Sequence, residues 1–517
     1  MLITVENLSH TFGDKKLYEK VSFRVLRGEK IGLIGANGTG KTTLIKILGG
    51  DVSPDEGSIT INPNIKIGYL DQYAKLNGKL TIQEYLKSAF SDLLVLSDEL
   101  DSINSELRKT SDEETMHRLI RQATRIREKL ESHNFFQIDS EVAKIASGLG
   151  LTAIGMDRPI AKLSGGQKVK LMLAKVLLEV PELLILDEPT NFLDAEHVEW
   201  LIKFLKEFKG AFLIVSHNEE FLNNVCNRII EVEFTSLTKY KGNYQDYLIK
   251  KQMRIDSYEK EYIKDQKERA RLTEYINKNK ARASTSKLAK SREKQLAKMK
   301  PMAKLKKLPE PHFKFTYKPV SAETLLKVNN LEIGYYYSLL PAMSFKLANR
   351  EKLSLQGFNG IGKSTLLKTL IGELKPIKGH FEFFSDVVIG YYAQDHIWEN
   401  DELSALQVIQ NEYPTLTHNE IRSRLASCGI VDEVAVQPIK SLSGGEQAKV
   451  KLCRILFKPC NVLLLDEPTN HLDHNAKVAL VKAIKEFPGS VIFVTHENEF
   501  AGEITNKVFN IESLLVD

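Results

Sequence analysis

At 517 residues, with 42% hydrophobic and 27% charged, the chain has the composition of a folded globular protein and is long enough for about three domains. A net charge of +5 is too small to name a partner, no apolar run approaches the ~18 residues of a membrane span, and the opening MLITVENLSHTFGDKK lacks the layout of a secretory signal. Cys226, Cys428, Cys453 and Cys460 form no CxxC pair, which argues against a zinc ribbon, an iron–sulfur cluster or a disulfide framework and for core thiols in a cytoplasmic protein.

In chain order, the first strong signal is a short apolar run, KIGLIG, that reads as a buried strand and opens into GANGTGKT at residues 35–42. This matches the phosphate-binding loop GxxxxGK[ST]. Its glycines let backbone N–H groups converge on phosphate, Lys41 reaches the β/γ oxygens, and Thr42 ligates Mg²⁺. About residues 91–133, SDLLVLSDELDSINSEL and a second helical stretch predict a helical hairpin, with Ser111 to Glu114 as its internal capping box. LSGGQ follows at Ser164, with hydroxyl and backbone donors at a predicted helix start. LLILDEPTN then ends an apolar strand in Asp187, placed to organise a metal, and Glu188, placed to polarise water. AFLIVSH ends in His217, placed on the γ-phosphate side.

From residue 248 to residue 308 the chain carries 20 Lys or Arg against 7 Asp or Glu, a local excess of +13 that leaves the rest at −8. Little Gly or Pro interrupts it, so it predicts two long antiparallel helices. Their seam is expected to use Ile255, Tyr258, Tyr262, Leu272 and Ile276, then Leu288, Leu296, Met299 and Leu305, with the turn in NKNKARASTS. Arg269, Arg271, Lys278, Lys280, Arg282, Lys287, Lys290 and Arg292 lie near the expected tip, a distribution suited to a phosphate backbone.

After this segment the first half repeats. GFNGIGKS at 357–364, LSGGE at Ser443, NVLLLDEPTN with Asp466 and Glu467, and SVIFVTH with His496 follow in the same order. Gly35 to Gln72 and Gly357 to Gln394 are both 37 residues; Ser164 to Asp187 and Ser443 to Asp466 are both 23; Asp187 to His217 and Asp466 to His496 are both 30. Only Gln72 to Ser164, 92 residues against 49, differs, so the first half holds a 43-residue insertion.

These paired motifs resemble the ATP-binding-cassette family. The resemblance implies two α/β cassettes in tandem, packed head to tail, with each ATP between one phosphate loop and the other cassette's signature. It pairs Gly35, Asn37, Gly38, Gly40, Lys41, Thr42 and Thr43 with Ser443, Gly444 and Gly445. It pairs Gly357, Asn359, Gly360, Gly362, Lys363, Ser364 and Thr365 with Ser164, Gly165 and Gly166. Glu188, Glu467, His217 and His496 would be catalytic. Thr42, Gln72, Asp187, Ser364, Gln394 and Asp466 would hold Mg²⁺, Asp194 and Asp473 would lie across the seam, and Phe12 and Tyr335 would stack on adenine.

The basic helical linker and the insertion in the first cassette only make the layout similar to the ABC-F family. That implies cassette 1 at 1–246, the linker at 247–308 and cassette 2 at 309–517. It further implies a cytoplasmic monomeric ATPase whose closed form enters the ribosomal tRNA exit site. The linker residues Lys278, Lys280, Arg282, Lys287, Lys290 and Arg292 would meet rRNA and peptidyl-tRNA, and the insertion would meet the ribosomal stalk region. A general translation factor is the expectation; antibiotic resistance by ribosome protection is the alternative, and a subunit of a membrane transporter a more remote one.

Overall fold

The computed structural model describes the chain apart from residues 14, 71–75, 77, 111, 133, 192, 280–285, 300, 305–309, 359, 395–397, 496, 506 and 516–517. Each half is built on a mainly parallel sheet. In cassette 1 the order is Ile67–Tyr69, Leu183–Asp187, Ala211–Val215, Lys30–Gly35, Arg228–Glu233 and Ser236–Lys241, the last strand antiparallel to its neighbour. Cassette 2 repeats it with Ile389–Tyr392, Val462–Asp466, Ser490–Val494, Lys352–Gln356 and Val508–Asn510. Central strands such as Leu183–Asp187 and Ser490–Val494 are buried along their whole length. Helices cover both faces of such strands, which is why they read as continuous apolar runs. A second, three-stranded antiparallel sheet flanks each parallel one, centred on Ile3–Phe12 in cassette 1 and on Thr324–Glu332 in cassette 2.

The insertion forms helices Ser91–Leu107 and Glu113–Ser132, which close on a small core of Ile103, Leu119, Ile126 and Leu130. The second helix is capped by Asp112, whose Oδ2 accepts from the Thr115 N–H at 2.9 Å. Ser111, expected in that role, lies outside the described residues. An ionised carboxylate both fills the N-terminal donor and faces the positive end of the helix dipole, which suits the cap.

The linker begins as helix Tyr244–Asn279, 36 residues and therefore about 54 Å long. A boundary at 246/247 would cut its first turn, which is rooted in cassette 1. Tyr244 and Tyr247 are buried there, and buried Glu231 accepts from the hydroxyls of Tyr247 at 2.7 Å and Tyr240 at 3.1 Å while pairing with Lys251. A buried carboxylate held by two hydroxyls and an ammonium fixes the helix direction at its base.

Further out, Ile255, Tyr258, Tyr262, Asp265, Arg269, Leu272 and Ile276 recur at alternating steps of three and four and are turned inward, the period of a coiled-coil seam. The return helix is Ser286–Lys298. It buries Ala289 at 1% exposure and leaves Leu288 at 53%, opposite to the sequence expectation. A small residue lets the helices approach closely, whereas size alone had suggested leucine for the seam. Asp265 and Arg269 form a 2.7 Å ion pair in the seam, and Arg269 also donates to the Met299 carbonyl at 2.5 Å, which ties the two helices together. Leu305 lies outside the described residues. Among the described residues, no helix is long and apolar enough to cross a membrane.

Candidate functional site

Both phosphate loops run from a buried central strand into a helix, Lys41–Gly49 and Lys363–Leu370. Gly40 and Gly362 turn the chain at φ 98° and 113°, a region that admits glycine readily and other residues at a cost. The lysines occupy equivalent places. Lys41 Nζ donates to the carbonyls of Gly35 at 2.9 Å and Ala36 at 3.1 Å; Lys363 Nζ donates to those of Gly357 at 2.6 Å and Phe358 at 3.0 Å. Each ammonium is thus held inside its loop, where a phosphate oxygen could replace a weakly basic carbonyl.

Asp187 and Asp466 end fully buried strands beneath these loops. Burial raises both carboxyls, Asp466 to about 6, with the hydroxyls of Thr42 and Ser364 respectively acting in the opposite sense. Asp466 is buried next to Ser364, whose hydroxyl also lies 3.5 Å from Gln394 Oε1. A buried carboxylate, a hydroxyl and an amide oxygen are hard-oxygen ligands, and they fit Mg²⁺ carried with a nucleotide. Gln72 lies outside the described residues, as do Asn359 and His496.

Glu188 and Glu467 follow these aspartates in left-handed backbone, φ 47° and 50°. The kink takes each residue off the strand path, and Glu467 lines the cavity between the halves. Burial and the neighbouring Asp187 charge push Glu188 up to about 7, and its Oε1 is buried with no hydrogen-bond donor in the protein. Its Oε2 accepts from the His217 backbone N–H at 3.3 Å, while His217 Nε2 stands 3.6 Å from Oε1, too far for a hydrogen bond. Burial together with the nearby Lys41 and Lys477 keeps His217 well below its ordinary value, hence neutral. Glu467 is held differently, accepting from Gln394 Nε2 at 2.7 Å and Asn470 Nδ2 at 2.5 Å.

The two cassettes meet at the Lys41 loop. Asn37 Nδ2 donates to the His471 carbonyl at 2.8 Å, and Gly445 of the second signature lies so close that a Cβ there would fall 1.7 Å from the same nitrogen. Lys477 donates to the His217 carbonyl at 3.1 Å, and His474 pairs with Glu219. Asp473, bound to Lys449 at 2.7 Å, adds its charge to the field around Lys41. A cavity of about 310 Å³ lies along this seam, lined from both halves by Thr190, His217, Glu219, Glu467, His471 and His474 among others.

At the Lys363 loop the counterparts of Asn37 and His471, Asn359 and Phe192, lie outside the described residues. The charged groups acting on Lys363 are Glu467, Asp466 and Glu512, all from its own cassette. A Cβ on Gly360 or on Gly165 of the first signature would meet nothing within 4 Å. Ser164 is exposed, whereas Ser443 is half-buried. Asp194 is held by His197 rather than by a lysine.

Both signature serines cap their helices, Ser164 accepting from Gln167 N–H and Ser443 from Glu446 N–H at 3.3 Å each, so Gly165, Gly166, Gly444 and Gly445 form first turns with free N–H groups. Thr43 is half-buried and Thr365 buried at 7%. Phe12 and Tyr335 are each 61% exposed. Glu446, His471, His474 and Lys477 were not legible as site residues, because their only signal is contact across the seam.

On the linker, Lys278 pairs with Glu274 at 2.6 Å, while Lys287, Lys290 and Arg292 are exposed; Lys280 and Arg282 lie outside the described residues. The outer face of the long helix carries Lys260, Lys264, Lys267 and Arg271 around half-exposed Ile263. These residues fall one turn apart on one face, a basic stripe of which the sequence reading had named Arg271 alone, itself paired with Glu268.

A family model described as ABC transporter matches residues 18–191 and 340–470, and a second with the same description matches 230–315. The chain is 40% identical to an uncharacterized ABC transporter ATP-binding protein, YfmM, of Bacillus subtilis, over 99% of this chain and 98% of that one. It is 32% identical to ABC transporter F family member 5 of Arabidopsis thaliana, covering 99% of this chain and 75% of the relative. Among solved structures, the archaeal ribosome recycling factor aABCE1, crystallised with the ribosomal stalk protein aP1, matches in fold with a TM-score of 0.58 at 19% identity. That match covers 98% of this chain and 87% of the other.

Proposed function

The chain belongs to the ABC-F family of tandem ATP-binding-cassette proteins, and from that premise we propose that it is an ATPase acting on the ribosome. In this reading each ATP lies between the phosphate loop of one cassette and the signature of the other, Lys41 with Ser443 and Gly445, Lys363 with Ser164 and Gly166. The observation that carries it is the meeting of Asn37 with His471 and Gly445, which brings the second signature onto the first phosphate loop.

Lys41 and Lys363 bind and orient the β- and γ-phosphates, replacing carbonyl contacts with charge-assisted ones. Thr42, Gln72 and Asp187, and Ser364, Gln394 and Asp466, would hold Mg²⁺, which supplies charge neutralisation at the phosphate oxygens. Glu188 and Glu467 accept a hydrogen bond from the attacking water; the undonated Oε1 of Glu188 is available for it. His217 and His496 orient the γ-phosphate, His217 as the neutral imidazole. Phe12 and Tyr335 offer exposed rings to the base.

The ribosomal assignment is supported by the lopsided charge of the linker, the basic stripe from Lys260 to Arg271, and the exposed Lys287, Lys290 and Arg292, together suited to an RNA backbone. Docking in the tRNA exit site with the linker tip on rRNA or peptidyl-tRNA, to relieve stalled translation, is the specific form proposed. Protection of the ribosome from an antibiotic is the second reading, because the same linker would reach the same centre. The protein is taken to work in the cytoplasm as a monomer with its two cassettes as an internal dimer.

The test is co-sedimentation of the Glu188→Gln, Glu467→Gln protein with purified ribosomes, with ATP, with ADP and without nucleotide. Pelleting with ATP alone is expected. Pelleting in no state would overturn the ribosomal assignment, and ATP-independent pelleting would separate binding from cassette closure.

A further inference from the structure

The signature helix starts differently in the two cassettes. In cassette 1 its third residue is Gln167, whose amide oxygen accepts from the Ser164 backbone N–H at 3.0 Å. In cassette 2 it is Glu446, whose Oε2 accepts from the Ser443 N–H at 2.9 Å and from the Ser443 hydroxyl at 2.7 Å. The remaining oxygen, Oε1, stands against the phosphate loop of cassette 1, 2.6 Å from the place a Cβ on Gly38 would take. Lys15 Nζ, from cassette 1, comes within 3.1 Å of that same point. A carboxylate and an ammonium from opposite cassettes therefore converge on the loop that must receive a triphosphate.

We propose that Glu446 sets the nucleotide preference of the Lys41 site. When a triphosphate binds, the carboxylate opposes the γ-phosphate. That repulsion weakens ATP relative to ADP, which has no γ-phosphate. The other site, which pairs with neutral Gln167, escapes this penalty and prefers ATP more strongly. The inference rests on the composite-site reading given above.

The experiment uses the full chain carrying Glu188→Gln and Glu467→Gln to stop turnover, with Lys363→Ala so that the Lys41 site reports alone. ATP and ADP affinities are measured by calorimetry with and without Glu446→Gln. The substitution is nearly isosteric, and Gln167 already makes the same cap, so the fold is retained. ATP binding should tighten roughly tenfold, the size expected of one nearby like charge near a protein surface, with ADP little changed. Raising the salt should shrink the difference. With Lys41→Ala in place of Lys363→Ala, Gln167→Glu should loosen ATP at the other site by a similar factor. An unchanged ATP-to-ADP ratio, or weaker ATP binding, on Glu446→Gln overturns the proposal. Gly445→Leu, which cannot fit beside Asn37, separates the two levels of argument. If it leaves ATP affinity at the Lys41 site intact, the composite site itself is wrong. If it abolishes the ATP preference while Glu446→Gln does nothing, only the role of Glu446 falls.

Discussion

The Lys41 and Lys363 loops hold their lysines by the same pair of carbonyl contacts, yet the described residues that surround their motifs differ. Equal motifs therefore do not make equal sites. The difference lies in residues around the motifs: Lys449 beside Asp473 against His197 beside Asp194, and Glu446 against Gln167.

The largest expected effect tests whether Glu188 carries the chemistry at the Lys41 site. Glu188→Gln should lower single-turnover hydrolysis at the Lys41 site by roughly 10²–10⁴, the usual contribution of a positioned general base. Because Glu188 is raised to about 7 and must be ionised to polarise water, kcat/KM through this site should rise with pH up to about 7 and level off above it. The glutamine variant should lack that limb. Unimpaired hydrolysis would remove Glu188 from the mechanism, and an equal limb with Glu467→Gln alone would leave it in place.

Next comes the packing behind the seam. Lys449 and Asp473 form a buried pair, so Lys449→Ala leaves an uncompensated carboxylate and should cost about 3–5 kcal/mol in chemical denaturation. Lys170→Ala, the corresponding change in cassette 1, should cost about 1 kcal/mol or less, since Asp194 is held by His197. Similar losses in both variants would erase the asymmetry.

The smallest effect sharpens the comparison at the rim. Glu219 raises the pKa of His474, its partner across the seam. A raised histidine stabilises the closed arrangement fully below its unfolded value and loses that contribution as pH rises through the folded value. For a pair this exposed the gain is about 0.2–1 kcal/mol. Inter-cassette fluorescence transfer should therefore report slightly easier opening at pH 8 than at pH 6, and His474→Gln should abolish that dependence. A pH response that survives the substitution would assign it elsewhere.

The sequence by itself determined the tandem cassettes, because phosphate loops, buried strands ending in acid pairs, and helix caps are local devices whose spacing repeats. It also marked the insertion and the charge of the linker. Its errors came where packing chooses between neighbours: Ala289 displaces Leu288 from the seam because close helix approach favours the smaller residue. Cassette docking belongs to tertiary structure altogether. Asn37 and His471 are 434 residues apart, and no periodicity in either segment encodes their meeting. The resemblance implied which signature covers which loop, but the contact itself is decided by the folded chain, since it is the product of two surfaces, each fixed by its own core.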